Sequence, residues 1–386
     1  MQSSDRPLDQ LTVFYICSSD ISKVQGNTEH YHVATYLDNT TETHLFGPFQ
    51  ETSKWLHTHR HPFDGIFGVI LLNLFYLPYW GYMSLRYDPD VVYCYQNVIL
   101  PPFLVRLFAG TTVVYDIQSG PVSQATEFSD REDRGIIFSL LNIFNFYGHQ
   151  FALRRSDAIV TLSEDLEALL CRSYGLVPKD ITVVPLGVNT DRFVPSKAQS
   201  DRIRLVYLGT ASATRGLETV VDALDSLSSD VQSRVRFEIY GDGDVSYIER
   251  LQPRPDSQWE FIWHGYIDYE DIPKIVSQYD IAISPLPEYE SYEVSSPAKI
   301  FEYLAMGLPI IATNITAHER ILQAEEDSIF IDANDTTEMA VAIERLACND
   351  HLREEMGAQA RMNAMEHDWE KRFELIRKTI EDADQV

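Results

Sequence analysis

The stretch from Ser284 to Thr313, SPLPEYESYEVSSPAKIFEYLAMGLPIIAT, constrains the chain more than any other. It reads as the end of a strand, a loop, a helix, a tight turn and a second strand. Ser295 or Ser296 can cap the helix, and Pro297 suits its first position, where no backbone N–H is needed. Ile300, Phe301, Leu304 and Ala305 give the helix an apolar face. Gly307 ends it, because glycine enters the left-handed conformation cheaply, and IIAT resumes as a buried strand. A loop that runs from a strand into a helix N-terminus presents free N–H groups to an anion. Lys299 stands in the first helical turn, where a cation opposes the helix dipole. That placement makes sense if an anion such as a diphosphate lies between them. Glu302, about one turn further in, can accept hydrogen bonds from sugar hydroxyls. The plainer alternative is a solvated Lys and Glu on an exposed face.

The same grammar recurs upstream. Ile203 to Leu208 reads as a strand, followed by GTASATRG and a helix with apolar positions Leu217, Val220, Val221, Leu224 and Leu227 at the helical period. Arg215 is again a cation at a helix start. Arg236 to Asp244 is a strand ending in a Gly-x-Gly turn at Gly241 and Gly243, and Tyr279 to Pro285 is the strand that feeds the Ser284–Thr313 segment. In the first half, Leu11–Cys17, Thr43–Phe46, Asp90–Tyr95, TTVVYDIQ and Asp157–Leu162 read as strands separated by helices. One helix covers Thr28–Leu37, and Ser163 caps another that begins at Glu164. This alternation predicts an α/β protein with two doubly wound sheets. The expected boundaries are 1–195 for the first domain and 196–367 for the second, with PSKAQSDR as linker and a helical tail over 368–386 crossing back.

Composition narrows the function. With 386 residues the chain can bury two cores. The net charge of −27 disfavours nucleic acid, which needs a basic face. Dense carboxylates, with arginines outnumbering lysines, resemble proteins of a salt-loaded cytoplasm. Cys17, Cys94, Cys171 and Cys348 show no metal-ligand spacing, and Cys17, Cys94 and Cys348 sit in apolar contexts that read as core. MQSSDRPLDQ lacks the basic start and apolar block of a signal peptide, so a cytoplasmic home is expected. Two apolar stretches, Gly65–Arg86 with Tyr76, Tyr79, Trp80 and Tyr82, and Ile136–Leu153 followed by Arg154 and Arg155, read as buried elements. The alternative is a patch in peripheral contact with the inner face of the cell membrane.

The pattern Ser296, Pro297, Lys299, Glu302, Tyr303, Ala305, Gly307, Pro309 resembles the donor-site segment of family-4 glycosyltransferases. The pieces Ser156–Ser163 and Val183–Phe193 resemble the end of that family's N-terminal domain. The resemblance implies the GT-B fold, with two Rossmann-like domains facing across a cleft. It also implies a hexosyltransferase-type reaction, the transfer of sugar from a nucleotide diphosphate sugar with retention at the anomeric carbon. No cofactor or metal is expected beyond that substrate. The acceptor would be a glycan or a lipid-linked precursor of cell-surface glycan. Arg215, Lys299 and Glu293 are the implied catalytic residues, with Gly209, Thr210, Gly241, Gly243, Ser296 and Glu302 on the donor and Gly26 and Gln118 on the acceptor side. Three positions depart from the family: Thr210 replaces an Arg, Val294 replaces a second Glu, with Glu293 beside it, and Gln118 stands near an expected His. These departures keep two alternatives open, a sugar-nucleotide epimerase of the same fold and an inactive nucleotide-sugar-binding scaffold.

Overall fold

The computed structural model describes residues 7–21, 29–50, 54–60, 71–73, 77–120, 136–178, 181–196 and 201–385. The chain divides into two compact units. One holds Met1–Val24, Thr28–Pro185 and Glu370–Val386, the other Gln25–Asn27 and Leu186–Trp369.

The first unit is built on a parallel sheet of β1 (Thr12–Ile16), β2 (Glu42–Gly47), β3 (His57–Arg60), β4 (Val91–Tyr95), β5 (Thr112–Ile117), β6 (Ala158–Thr161) and β7 (Ile181–Val183). Its order is β3-β2-β1-β4-β5-β6-β7, so the winding reverses between β1 and β4. Ligands in such sheets bind beyond the carboxyl ends of the strands at this reversal. The strands read as apolar runs because helices cover both faces: Val13, Phe14, Tyr15 and Ile16 are fully buried. On one face Val33, Ala34 and Leu37 of helix Glu29–Thr40 share a core with Ile376, Ile380 and Ala383 of the last helix, Trp369–Asp384. That shared apolar surface places the tail in the first unit. Helices Leu77–Tyr87, Pro101–Ala109 and Ile136–Arg155 also belong to this unit. Ser163 caps helix Glu164–Tyr174 by accepting from the Leu166 N–H, as its residue type predicts.

Strand β3 was not foreseen, because HTHR carries no apolar alternation. It is a half-buried edge strand whose rings do the packing: His59 stacks on Phe46 and its Nε2 lies 2.9 Å from His44 Nδ1. The aromatic stretch divides. Trp80 is buried against Phe46, Tyr82 is exposed, and Tyr76 lies outside the described residues.

The second unit has β8 (Ile203–Leu208), β9 (Val235–Tyr240), β10 (Glu260–Gly265), β11 (Ile281–Ser284), β12 (Ile310–Thr313) and β13 (Ser328–Ile331), all parallel in the order β10-β9-β8-β11-β12-β13. Helix Leu217–Ser226 buries Leu217, Val220, Val221 and Leu224 against this sheet, the stripe its period predicts. Two expectations need correction. Cys348 is exposed at the end of helix Thr336–Ala347, because its apolar neighbours, not the thiol, face the core. The helix of the Ser284–Thr313 segment spans Ala298–Ala305, and no serine caps it. Ser295 Oγ instead donates to the Tyr292 carbonyl (2.7 Å), and Ser296 Oγ accepts from the Leu186 N–H (3.3 Å). Both hydroxyls are used to fix the incoming loop, and the helix N-terminus stays open. Gly307 does end the segment in the left-handed region, at φ 66°.

Glycine is required where strands β8 and β9 end. Gly241 has φ 138°, and a Cβ there would lie 2.2 Å from the Gly209 carbonyl oxygen. Gly241→Ala should therefore destabilise the protein by more than about 1 kcal/mol. Urea unfolding followed by circular dichroism checks this, and an unchanged midpoint would contradict the close approach.

Candidate functional site

Three loops of the second unit meet at the carboxyl end of its sheet. Strand β8 delivers Gly209 and Thr210, both exposed, and Gly209 N–H donates to the Tyr240 carbonyl at 2.8 Å. A single 3-10 turn, Ala213–Arg215, leads to Gly216, whose φ is 71°. A Cβ on Gly216 would sit 2.0 Å from the Pro285 carbonyl, so the β8 loop presses on the end of β11. Strand β9 delivers Gly241 and Gly243, and Ala211 N–H donates to the Asp242 carbonyl at 2.7 Å. Asp244 caps the next short helix through the Tyr247 N–H, consistent with reading DGD as a turn. Strand β11 leads to the open N-terminus of Ala298–Ala305.

This geometry brings Lys299 and Arg215 together. The Lys299 ammonium rests 3.9 Å from the centroid of the Tyr207 ring and reaches the backbone of Gly209: a Cβ on that glycine would be 3.6 Å away. The Arg215 guanidinium lies over the Tyr292 ring at 5.0 Å, and its Nε is buried without a hydrogen-bond partner. Loss of solvent, and then the charge of Arg215, hold the Lys299 pKa well below the usual lysine range, against a smaller upward pull from Glu302. Glu302 is itself buried, and burial pushes its carboxyl up to about 8 despite Lys299 and Arg192. Two cations and a carboxyl that burial disfavours in charged form leave the site poised for an outside anion and for donors to the carboxylate. Tyr303 plays a positioning part: its hydroxyl oxygen accepts from the Leu208 N–H at 2.6 Å, tying the helix to the end of β8.

Glu293 is set slightly apart. Its Oε2 accepts from the Thr316 N–H at 2.7 Å, starting helix Thr316–Glu319, and its carbonyl accepts from Arg320. Val294 beside it is buried. Sequence reasoning missed His318, which is fully buried between the ends of β11 and β12. Its Nε2 lies 3.0 Å from Ser284 Oγ and its Nδ1 2.8 Å from the Thr313 carbonyl, and burial lowers its pKa to about 4. A neutral imidazole thus pins two strand ends beneath the loops.

In the first unit Gly26 lies outside the described residues. Gln118 follows β5. Its backbone N–H donates to Gln96 Oε1 (3.1 Å), its Oε1 accepts from the Tyr95 hydroxyl (3.3 Å), and its amide nitrogen donates to Glu29. Glu29 and Asp116 are both buried at this edge, and Asp116 accepts from the Tyr93 hydroxyl at 2.7 Å. Desolvation drives both carboxyl pKa values upward, and the charge of Asp116 adds to the rise at Glu29. Neither acid was singled out from the sequence; Asp116, an acid closing the apolar run TVVYDI, was the available signal. Among the described residues no three His, Cys, Asp or Glu side chains are arranged to hold a metal.

Known proteins resemble this chain in sequence and fold. The Glycosyltransferase Family 4 model matches residues 30–192, and the model for Glycosyl transferases group 1 matches residues 202–349. An uncharacterized glycosyltransferase of Methanocaldococcus jannaschii is 20% identical over 94% of this chain and 93% of its own length. A phosphatidyl-myo-inositol mannosyltransferase of Mycobacterium leprae is 27% identical, but the match spans only 49% of this chain and 50% of that protein. Sucrose-phosphate synthase from Thermosynechococcus elongatus superposes with a TM-score of 0.75 at 17% identity, covering 95% of this chain and 98% of that one. Anabaena HepE, solved with UDP and glucose, does so with a TM-score of 0.71 at 13% identity, covering 96% and 99%. The fold is GT-B. The chain is an enzyme of the glycosyltransferase type, like family 4 in its first half and group 1 in its second.

Binding of a nucleoside diphosphate should move protons in opposite senses at the two titrating groups. A bound anion should raise the Lys299 pKa and so favour proton uptake; hydroxyl donors should lower the Glu302 pKa and so favour release. Calorimetry of UDP, GDP or ADP binding in two buffers of different ionisation heat measures the net exchange. Lys299→Met should shift it toward release and Glu302→Gln toward uptake. The same exchange in wild type and both variants would remove these residues from the site.

Proposed function

We propose that the second unit holds a nucleotide diphosphate sugar and that the enzyme transfers its sugar, a hexose, to a glycan or lipid-linked acceptor. The observation that carries this reading is the approach of Lys299 and Arg215 beside the N-terminus of helix Ala298–Ala305, which no side chain caps, in a chain of net charge −27. Cations are scarce in this protein, and two kept close against their own repulsion suit a ligand of two negative phosphates. As the bond to the sugar breaks, charge grows on the leaving diphosphate. Arg215, Lys299 and the open N-terminus of Ala298–Ala305 offset it without a resident metal or cofactor. Glu302 would take the ribose hydroxyls. Gly209, Thr210, Gly241 and Gly243 would supply close backbone contact, and Ser296 would act through the loop that its hydroxyl holds. Glu293, with one carboxylate oxygen engaged by Thr316, would face the sugar through the other. On the acceptor side Gln118 can hydrogen-bond a hydroxyl but cannot take its proton. Retention at the anomeric carbon is the outcome the family resemblance implies. The acidic composition supports work in a salt-rich cytoplasm, and a lipid-linked acceptor would bring the enzyme to the inner face of the membrane.

Incubating the protein at high salt with a panel of nucleotide sugars, with and without lipid-linked acceptors, tests this. Acceptor-dependent release of nucleoside diphosphate is expected, and Arg215→Ala or Lys299→Ala should lower kcat/KM about 100-fold. Conversion of the donor with no acceptor present would indicate an epimerase. Tight binding without turnover would indicate a scaffold.

A further inference from the structure

Three helices of the first unit, Leu77–Tyr87, Pro101–Ala109 and Ile136–Arg155, are 11, 9 and 20 residues long and contain no Asp or Glu. With 58 acids in 386 residues, about six would be expected there from composition alone. They carry four arginines instead, Arg86, Arg106, Arg154 and Arg155. The three helices adjoin. Phe108 lies over Gly81, Phe103 meets Phe151 edge to face at 5.2 Å, and Arg106 donates to the Arg155 carbonyl. Large apolar side chains are left in solvent on all three: Leu85 is 74% exposed, Leu107 76% and Tyr147 62%, with Tyr82, Phe108 and Phe151 also exposed. Single exposed apolar residues are ordinary, but a contiguous set on neighbouring helices marks an interaction surface.

We propose that this face lies on a bilayer surface bearing anionic headgroups, with the apolar side chains entering the interface and arginines reaching phosphates. Charge argues for this occupant. Arg86 donates to the Tyr82 hydroxyl and Arg155 lies over the Phe151 ring, so each cation is paired with an exposed aromatic, the combination suited to headgroup depth. Arg106 and Arg154 are held by the protein, one by Asp157 at 2.7 Å, the other by the Tyr174 carbonyl; among the described residues Asp157 and Asp88 are acids at the margin. The chain as a whole is so acidic that an anionic surface would repel it; the lack of carboxylates in these three helices lowers that repulsion where contact would occur. No helix among the described residues is long and apolar enough to cross a membrane, which fits a surface that lies on it. The proposal is independent of the acceptor, since vesicle binding needs neither donor nor turnover.

Cosedimentation of the full chain with phosphatidylcholine vesicles, with and without phosphatidylglycerol, tests it. Binding should require the anionic lipid at low salt. Leu107→Glu with Phe108→Glu should weaken it at least about tenfold, and Arg86→Gln with Arg155→Gln should remove the preference for anionic lipid. Nucleoside diphosphate binding and circular dichroism show that each variant is folded. Vesicle binding unchanged in the Glu variant, or absent in wild type at every lipid concentration, overturns the proposal. So does a wild-type dimer in light scattering that the Glu variant dissociates, which would make this face a contact between copies.

Discussion

Lys299 and Arg215 repel one another, and much of the second unit's architecture serves to keep them close. Gly216 lets the β8 loop close on the Pro285 carbonyl, which fixes Arg215 at the start of its helix. Gly209 lets the backbone pass under the ammonium, and Tyr207 gives that ammonium a ring face where a carboxylate would have cancelled it. Tyr303 locks the helix bearing Lys299 to β8 through the Leu208 N–H. Each of these contacts is unremarkable alone. Together they hold two basic groups close to one another in a chain of net charge −27. A buried or half-buried cation with no counterion is costly, and the cost is shed when an anion arrives.

The first unit shows the opposite arrangement. There, Glu29 and Asp116 are both buried at the carboxyl edge of the sheet, and desolvation, joined at Glu29 by the charge of Asp116, raises both carboxyl pKa values. Gln118 is held by Glu29 through its nitrogen and by the Tyr95 hydroxyl through its oxygen, so its amide has one orientation. A residue that looks like a weak replacement in the sequence is thus anchored at both ends of its amide. The two carboxyl-end edges therefore differ in chemistry: one presents basic side chains, the other buried carboxyls and an anchored amide.

The short apolar strands and the periodic helices were legible because burial on both faces writes itself into the residue types; β8 and β12 lie where the pattern put them. What escaped was whatever depended on partners distant in sequence. HTHR became an edge strand only because Phe46 and His44 offered it rings to stack on. Ser295 and Ser296 are good capping residues whose hydroxyls were claimed by Tyr292 and Leu186 instead. Glu293 could not be read as the cap of Thr316, twenty-three residues on. Cys348 was placed inside on the strength of its neighbours, and it faces out.

The sequence by itself determined the two doubly wound sheets, the glycines at their carboxyl ends and the pair of cations set at helix starts. Those follow from local rules: strand runs, helical period, backbone freedom and the helix dipole. Only the tertiary structure decided that Arg215 and Lys299 meet, that Glu302 is buried enough to hold its proton near neutrality, and that three acid-free helices share one exposed face. These depend on which surfaces are packed together and so on local solvent and distance, which set electrostatic energies and which no single stretch of chain encodes.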